Sequence, residues 1–539
     1  MENILHDFNE KVINLVTNYL KNSISDGGLS NFTDDLVKEF ADLGTKTANF
    51  LVNYAEETIF KLKERKEQFE SLEKDDRTII TIFGEIKFKR RYYQDKETEE
   101  RIYLLDQFLQ LEPSQRMLTN VRERLIKEAI ESSYKKAGEN AAYGVEISKE
   151  TVMNEIENLE LKSEIIETKV EKKKQVKTLY IIADEDHVHL QKGGIEEPRV
   201  VIVYDKIVSK GKRIELKNKK HFGGIYTKKI DDLWEEVMTY IENTYDTEYL
   251  EKVYISGDGA SWIKTGKEWI LKSVYVLDEF HMKKAVNGIV GRITKTNKTE
   301  KEKQKKELRT ALGRLNFVRF KEICYEILAE EMDKTTRERK ENLMNYILNN
   351  VKGIKNLYKN KKELHGCSAE GHVSHIYSDR MSSRPMGWKT ENVNNMSKLR
   401  LLREDKIEVK EILKNQGKVI EFKEIKKIRN QANAKIKASF IHKFTSKHQI
   451  AFRPCSNFSI EKSIYLLYPS IIFFCSVLFI FPFISKQNVK KILAGSLYTN
   501  DLLHNSKSII ALKPLLLNNI LSLVLHFLNT NIQVGMEVP

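Results

Sequence analysis

Hydrophobic and polar positions change their period several times along the 539 residues, and each change predicts an element. Up to about residue 74 the period is helical. Leu51, Tyr54, Ile59 and Leu62 recur inside TANFLVNYAEETIFKLKERKEQFESLE with neither Pro nor Gly between them, so helices are expected, the last ending near Lys74. Strand-like alternation follows on both sides of Gly84, in RTIITIF and EIKFKRRYY, as in a hairpin. From Asn120 to Glu157 the helical period returns. VRERLIKEAIESSYKKAGENAA is one helix, Gly144 a turn, and Ser148 the N-cap of KETVMNEIENL. A helix pair of this kind has the form of a helix-turn-helix that reads a DNA groove, and it is also common in proteins that never meet DNA. The basic linker VEKKKQVK closes the region at about residue 174.

Beyond it comes TLYIIADEDHVHLQ from Thr178, an apolar, β-branched run with the pattern of a buried central strand, broken by Asp184, Glu185 and Asp186. Buried carboxylates need a partner, which a divalent metal would supply; a strand that ends in a solvated acidic turn is the plainer alternative. Four further strands are expected: RVVIVYD from residue 199, RIELKNKKHFGGIYT as one strand carrying Gly223 and Gly224, then EKVYISGD and SVYVLDEF. A helix, DDLWEEVMTYIENTY, stands before the fourth, and a helical piece from Trp262 to Leu271 before the fifth. Strands then disappear from about 282 to 362, where Lys- and Glu-rich helical sequence predicts an insertion. The stretch HGCSAEGHVSHIYSDRMSSRPMGWKTENVNNMSKLR is dense in small and functional side chains and has the character of a working loop. Residues 401 to 454 are helical again. The predicted architecture is therefore α/β: a ribonuclease-H-like catalytic core at 175–400 with a helical insertion, preceded by helices (1–74) and a hairpin and helix-turn-helix DNA-binding region (75–174).

Charge sharpens this picture. Lys plus Arg number 91 against 77 Asp plus Glu, a formal charge of +14, which favours a polyanionic partner, most simply nucleic acid. Cys324, Cys367, Cys455 and Cys475 are too scattered for a disulfide framework, and MENILHDFNEKV has no secretory pattern, so a cytoplasmic, nucleoid-associated protein is expected. Asp184, Asp258 in ISGDGASW and Glu370 in CSAEGHVSH fall at the first strand, just after the fourth and after the insertion. Carboxylates from separate elements are what two divalent cations need to hold the attacking and leaving oxygens of a phosphoryl displacement. Asp186 is the alternative first ligand. Lys89, Arg90 and Arg91 beside Tyr92 and Tyr93 suit phosphate contact and stacking, or a lysine-protected hairpin edge.

The stretches ADEDHVHLQ, ISGDGASWI, VLDEFHMKKAV and SAEGHVSHIYSDRMSSRPMGW resemble the DDE transposases of bacterial insertion sequences, in particular the ISLre-type family related to the Mutator-like group, over about residues 70 to 400. The resemblance implies a Mg²⁺- or Mn²⁺-dependent enzyme that cuts and joins double-stranded DNA at terminal inverted repeats, working as a homo-oligomer on DNA. It makes Asp184, Asp258 and Glu370 the catalytic and metal-binding triad. Asp278 and His281 match an Asp-x-x-His element at the start of the insertion, and Arg380, Arg384 and Trp388 are candidates for phosphate and an unstacked base. Two rival readings remain: a zinc-containing DNA-binding protein using His365, Cys367, His372 and His375, and a DNA-binding regulator without catalysis. The tail, 455 to 539, stands apart. Arginine vanishes and charge becomes sparse, and Ile464 to Ile484 is uncharged and long enough to cross a bilayer, yet Pro469 and Pro482 lie inside it. It has the character of an out-of-frame translation of an A/T-rich gene.

Overall fold

The computed structural model describes residues 1–21, 28–161, 172–210, 213–226, 229–292, 297–364, 369–383, 386–414 and 428–438; the tail lies outside the described residues. At the N-terminus α1 (Glu2–Lys21) packs on α2 (Gly28–Lys61), and α3 (Lys63–Gln68) leads into a hairpin of β1 (Phe69–Thr81) and β2 (Gly84–Asp95), edged by β3 (Arg101–Ile102) and followed by α4 (Leu104–Leu109). Helix therefore ends six residues before Lys74. FESLEKDD has no strand-like apolar alternation, but its pairing with the well-patterned β2, from Phe69↔Asp95 to Thr81↔Gly84 with a bulge between Ser71 and Lys74, holds it extended. The buried stripe of α2 is Val52, Ala55 and Ile59, continued by Leu62, rather than one that includes Leu51, which is exposed.

The expected helix pair is three helices, α5 (Thr119–Glu131), α6 (Tyr134–Asn140) and α7 (Lys149–Glu157). Ser133 breaks the first segment by taking its N-cap role, its hydroxyl accepting the Lys136 N–H, and Ser148 caps α7 in the same way through the Thr151 N–H. Gly144, at φ +63°, makes the turn between α6 and α7.

The central sheet follows: β4 (Thr178–Glu185), a small ladder of β5 (Val188–His189) and β6 (Ile195–Glu196), β7 (Arg199–Tyr204), a second ladder of β8 (Lys206–Lys210) and β9 (Arg213–Lys217), then β10 (Lys220–Gly224). After α8 (Ile230–Thr244) come β11 (Lys252–Gly257), α9 (Ser261–Trp269) and β12 (Ser273–Leu277). Five of these strands form one sheet in the order β10-β7-β4-β11-β12, antiparallel up to β4 and parallel from β4 to β12. The stretch expected as a single third strand divides: Arg213–Lys217 folds back on β8, and only Lys220–Gly224 joins the sheet.

One face of the sheet, carrying Leu179, Ile181, Ala183, Val253 and Ile255, packs on α8 and α9 around Trp234. The other is covered in two parts. Tyr254 and Val276 meet the all-helical insertion: α10 (Glu279–Val290), α11 (Lys298–Gly313), α12 (Phe317–Ala329), α13 (Lys334–Asn349) and α14 (Val351–Lys359). Ile182, Val200 and Ile202 meet a core shared between α5–α7 and the C-terminal elements α15 (Ala369–Val373), a π-helical turn (Ser374–Ser378), α16 (Asp379–Met381), α17 (Thr390–Glu404) and α18 (Val409–Lys414). A domain boundary at 174 would therefore cut through a hydrophobic core. Arg380 Nε donates to the Ala129 carbonyl at 3.0 Å, and Arg400 donates to the carbonyls of Ile376 (2.6 Å) and Ile130 (3.1 Å), stitching the two halves of the chain together. A fragment ending at Lys174 leaves Val121, Leu125, Ile126, Val152 and Ile156 without these partners. It is expected to bind a hydrophobic dye and to lose cooperative urea unfolding, whereas a sharp transition would show that the N-terminal half folds alone.

Candidate functional site

Parallel pairing brings three aspartates to one edge. Register in the sheet pairs Ile182 with Ser256 and Gly257 with Leu277. Carried forward, it sets Asp184 beside Asp258 and Asp258 beside Asp278, on strands about 4.8 Å apart. The last step is continued by a hydrogen bond, the Asp278 N–H to the Gly257 carbonyl at 2.9 Å. Asp184 and Asp278 are buried and Asp258 is half-buried. Each local fold has a reason: Asp258 Oδ1 accepts the Ala260 N–H at 2.8 Å in the turn after β11, and Asp278 Oδ1 accepts the Phe280 N–H at 2.9 Å as the N-cap of α10.

The groups around the row register its negative charge. Burial first, then the charges of Asp258, Asp278 and Asp184, push the Tyr346 hydroxyl well above the ordinary phenol range. Burial also raises Glu185 above the usual carboxylate range; the Trp262 indole N–H donated to it opposes this, and the nearby Asp258 charge adds to it. His281, on the first turns of α10, places Nε2 4.0 Å from Asp184 Oδ2, and that buried nitrogen has no hydrogen-bond partner. The Asp-x-x-His spacing thus brings Asp278 and His281 to the row.

Among the described residues no three His, Cys, Asp or Glu side chains form a ready-made metal cage. The residues present nevertheless suit a hard divalent cation: aligned carboxylates at the end of a sheet, with an unsatisfied imidazole nitrogen beside them. Asp184 and Asp258 are the ones that would hold it. Glu370 lies on α15, which packs against β4, and its side chain is outside the described residues. Asp186 departs from the row: the Ser382 hydroxyl donates to its Oδ2 at 2.7 Å, tying it to the end of α16 instead.

Other expected contacts turn out to serve the fold. Arg91 is buried against Glu56 (3.2 Å) and Glu57 (2.7 Å) of α2, and Arg90 pairs with Asp106 of α4 while lying 3.5 Å from the centre of the Tyr103 ring. Of the three basic residues proposed on β2 only Lys89 stays exposed. Arg380 is buried, with its guanidinium over Trp388 at 4.8 Å, and Trp388 itself is buried and donates to the Met381 carbonyl at 3.0 Å. Neither is placed to meet a phosphate or a base. Lys149 is the single basic residue of α7, against Glu150, Glu155 and Glu157, a poor face for a DNA groove. Arg384, His365 and Cys367 lie outside the described residues. Of the remaining zinc candidates, His372 is pulled down to about 4 by burial, helped by Lys219 and His221, while His375 is exposed 3.5 Å from Asp379. Sequence reasoning missed Tyr346 and Asn350 of the insertion, because α13 is rich in polar residues, with Asn345 and Asn349 beside them, and nothing in its pattern singles these two out.

Fold and site together define a mixed α/β protein whose sheet presents a row of carboxylates beside a helical insertion. The chain belongs to UPF0236, described as an uncharacterised protein family, which it matches over residues 28–417. It is 36% identical over 418 residues to a UPF0236 protein of Caldanaerobacter subterraneus subsp. tengcongensis whose name carries eleven locus designations, covering 76% of this chain and 85% of that one. A second protein of that organism, with four designations, is 37% identical over 406 residues, 71% of this chain and 84% of its own. Among solved structures, a Drosophila P element transposase strand transfer complex aligns with a TM-score of 0.19 and 10% identity over 61% of this chain and 86% of that one, too weak a likeness to carry an argument.

The divided roles on β2 can be measured. Arg91→Ala leaves Glu56 buried without its cation and is expected to cost about 3–5 kcal/mol of stability. Lys89→Ala is expected to change stability by less than about 0.5 kcal/mol, with urea unfolding as the readout. Equal small effects would return Arg91 to the list of candidate DNA contacts.

Proposed function

We propose that this chain is a DDE-type transposase, which cuts and joins DNA strands at the ends of an insertion sequence with the help of divalent cations. The observation that carries the reading is the alignment of Asp184 and Asp258 at the carboxyl ends of adjacent parallel strands, with the helix that bears Glu370 packed on the first of them. An order of three antiparallel strands followed by two parallel ones agrees with a ribonuclease-H-like core. So does the position of the helical insertion, between the fifth strand and the helix of the third acid. The relatives add a separate support. A protein whose name carries eleven locus designations is encoded many times over in one genome, as the product of a self-copying element would be.

In this reading Asp184, Asp258 and Glu370 would hold Mg²⁺ or Mn²⁺, which would supply charge stabilisation at the oxygens of the phosphodiester. The protein's own groups do the rest. Asp184 stays anchored because its strand lies between β7 and β11, and Glu185 is held aside by Trp262. His281 sits next to Asp184, and its Nε2, without a hydrogen-bond partner, is available to a phosphate oxygen. The double-stranded partner is met by exposed basic residues such as Lys89, and pairing of two DNA ends calls for a homo-oligomer.

Incubation of the full chain with end-labelled candidate element ends and Mg²⁺, followed by mapping of nicks, tests the reading. Asp258→Asn is expected to lower nicking by at least about a hundredfold while DNA binding persists, since the amide keeps the shape but does not hold the cation as a carboxylate does. Asp184→Asn and Glu370→Gln should match it, and Asp186→Asn should not. Nicking by Asp258→Asn at the wild-type rate would remove the assignment, and metal-independent DNA binding with no cleavage by the wild type would favour a regulator.

A further inference from the structure

The sheet stops holding the chain one residue too early. Pairing of β11 ends at Gly257↔Leu277, so Asp258 and Gly259 lie beyond the ladder. What holds them comes from the insertion, about 90 residues downstream. The Tyr346 hydroxyl donates to the backbone carbonyl of Asp258. Gly259 has φ +103°, and a Cβ built on it would stand 2.6 Å from Asn350 Oδ1 and 2.8 Å from Nδ2. The amide of Asn350 therefore fills the space that a side chain at 259 would need, and glycine is required both by conformation and by contact.

We propose that Tyr346 and Asn350 are positioning residues that set the Asp258–Gly259 turn, and through it the Asp258 carboxylate. The inference rests on the reading of Asp258 as a cation ligand. Both side chains are themselves fixed. They stand one turn apart at the end of α13, where Asn350 Nδ2 donates to the Tyr346 carbonyl at 2.9 Å, and Asn350 is 4% exposed. The next helix, α14, is locked to the neighbouring strand: a Cβ on Gly353 would meet the Tyr275 ring at 2.6 Å, and Asn356 Nδ2 donates to the Tyr275 carbonyl at 2.8 Å. Strand β12 thus sets α14, α14 sets Asn350 and Tyr346, and these set the turn after β11. Such outer partners of a ligand are typically worth about ten- to a hundredfold in metal affinity or activity.

The test uses the purified full chain. Tyr346→Phe keeps the ring packing and removes only the donor, and Asn350→Ala opens the space beside Gly259 without touching the ring. Mn²⁺ binding is followed by the paramagnetic signal of the free ion, with Asp258→Asn as the control that loses it. Both variants are expected to weaken Mn²⁺ about tenfold and to lower kcat for nicking with little change in KM for DNA, their thermal midpoints staying close to the wild type. Hydrogen exchange of the peptide spanning 257–262 gives a readout without metal: the Ala260 amide, protected in the wild type by Asp258 Oδ1, should exchange several-fold faster in both. Wild-type Mn²⁺ affinity and wild-type exchange in Tyr346→Phe and Asn350→Ala would overturn the proposal. If the wild type binds no Mn²⁺, the cation reading fails by itself, and unchanged exchange in the variants then overturns the positioning role as well.

Discussion

The hydrogen-bond ladder between β4, β11 and β12 is the constraint on which the rest of this molecule depends. Register in a parallel ladder is all or nothing, because a slip of one residue turns every side chain to the opposite face. Here the penalty would be severe: Ile181 and Ile255 are buried against the α8–α9 layer, and Tyr180 and Tyr254 stack on the other face at 5.8 Å. The apolar packing of both faces thus fixes which residues stand at the strand ends. The aspartates are held in line by side chains that have no part in any chemistry.

Around that ladder the protein spends its cations on itself. Arg77, Arg90 and Arg91 of the hairpin meet Asp106, Glu56 and Glu57, and Arg400 and Arg403 converge on Glu131. The whole chain still carries a formal charge of +14, and on the hairpin it is Lys87 and Lys89 that stay exposed. Arginine suits the inner role because its planar fork satisfies several acceptors at once, as Arg400 does with three backbone carbonyls and a carboxylate.

Much of the sheet was legible because each parallel strand is a short apolar run that ends at an aspartate, and the two kinds of periodicity separate cleanly at the insertion. The order of elements and the place of Asp184 and Asp258 at the ends of their strands followed from that pattern. Other features depended on partners far away in the chain. Alternation in β2 reads Lys87, Lys89 and Arg91 as one solvent face, yet α2 covers Arg91 with Glu56, residues whose own sequence says nothing about each other. RIELKNKKHF gives no sign of where one strand ends and the next begins, since Asn218, with φ +54°, interrupts the pairing between two equally basic segments that run on in one antiparallel register. Trp388 and Arg380 looked like exposed contacts in a loop of functional side chains and are instead a stacked, buried pair under Tyr134.

The shared core of α5–α7 with residues 373–413 fixes an order of events in the life of the chain. Helices made early in synthesis bury Val121, Leu125 and Ile156 against Met381, Leu399 and Leu413, more than 200 residues later. The turn at Asp258 likewise waits for Tyr346. Closing such distant contacts is slow compared with local helix formation. A ribosome-bound chain therefore carries its carboxylates without the surroundings that align them, and the row is complete only after nearly the whole described length has been made.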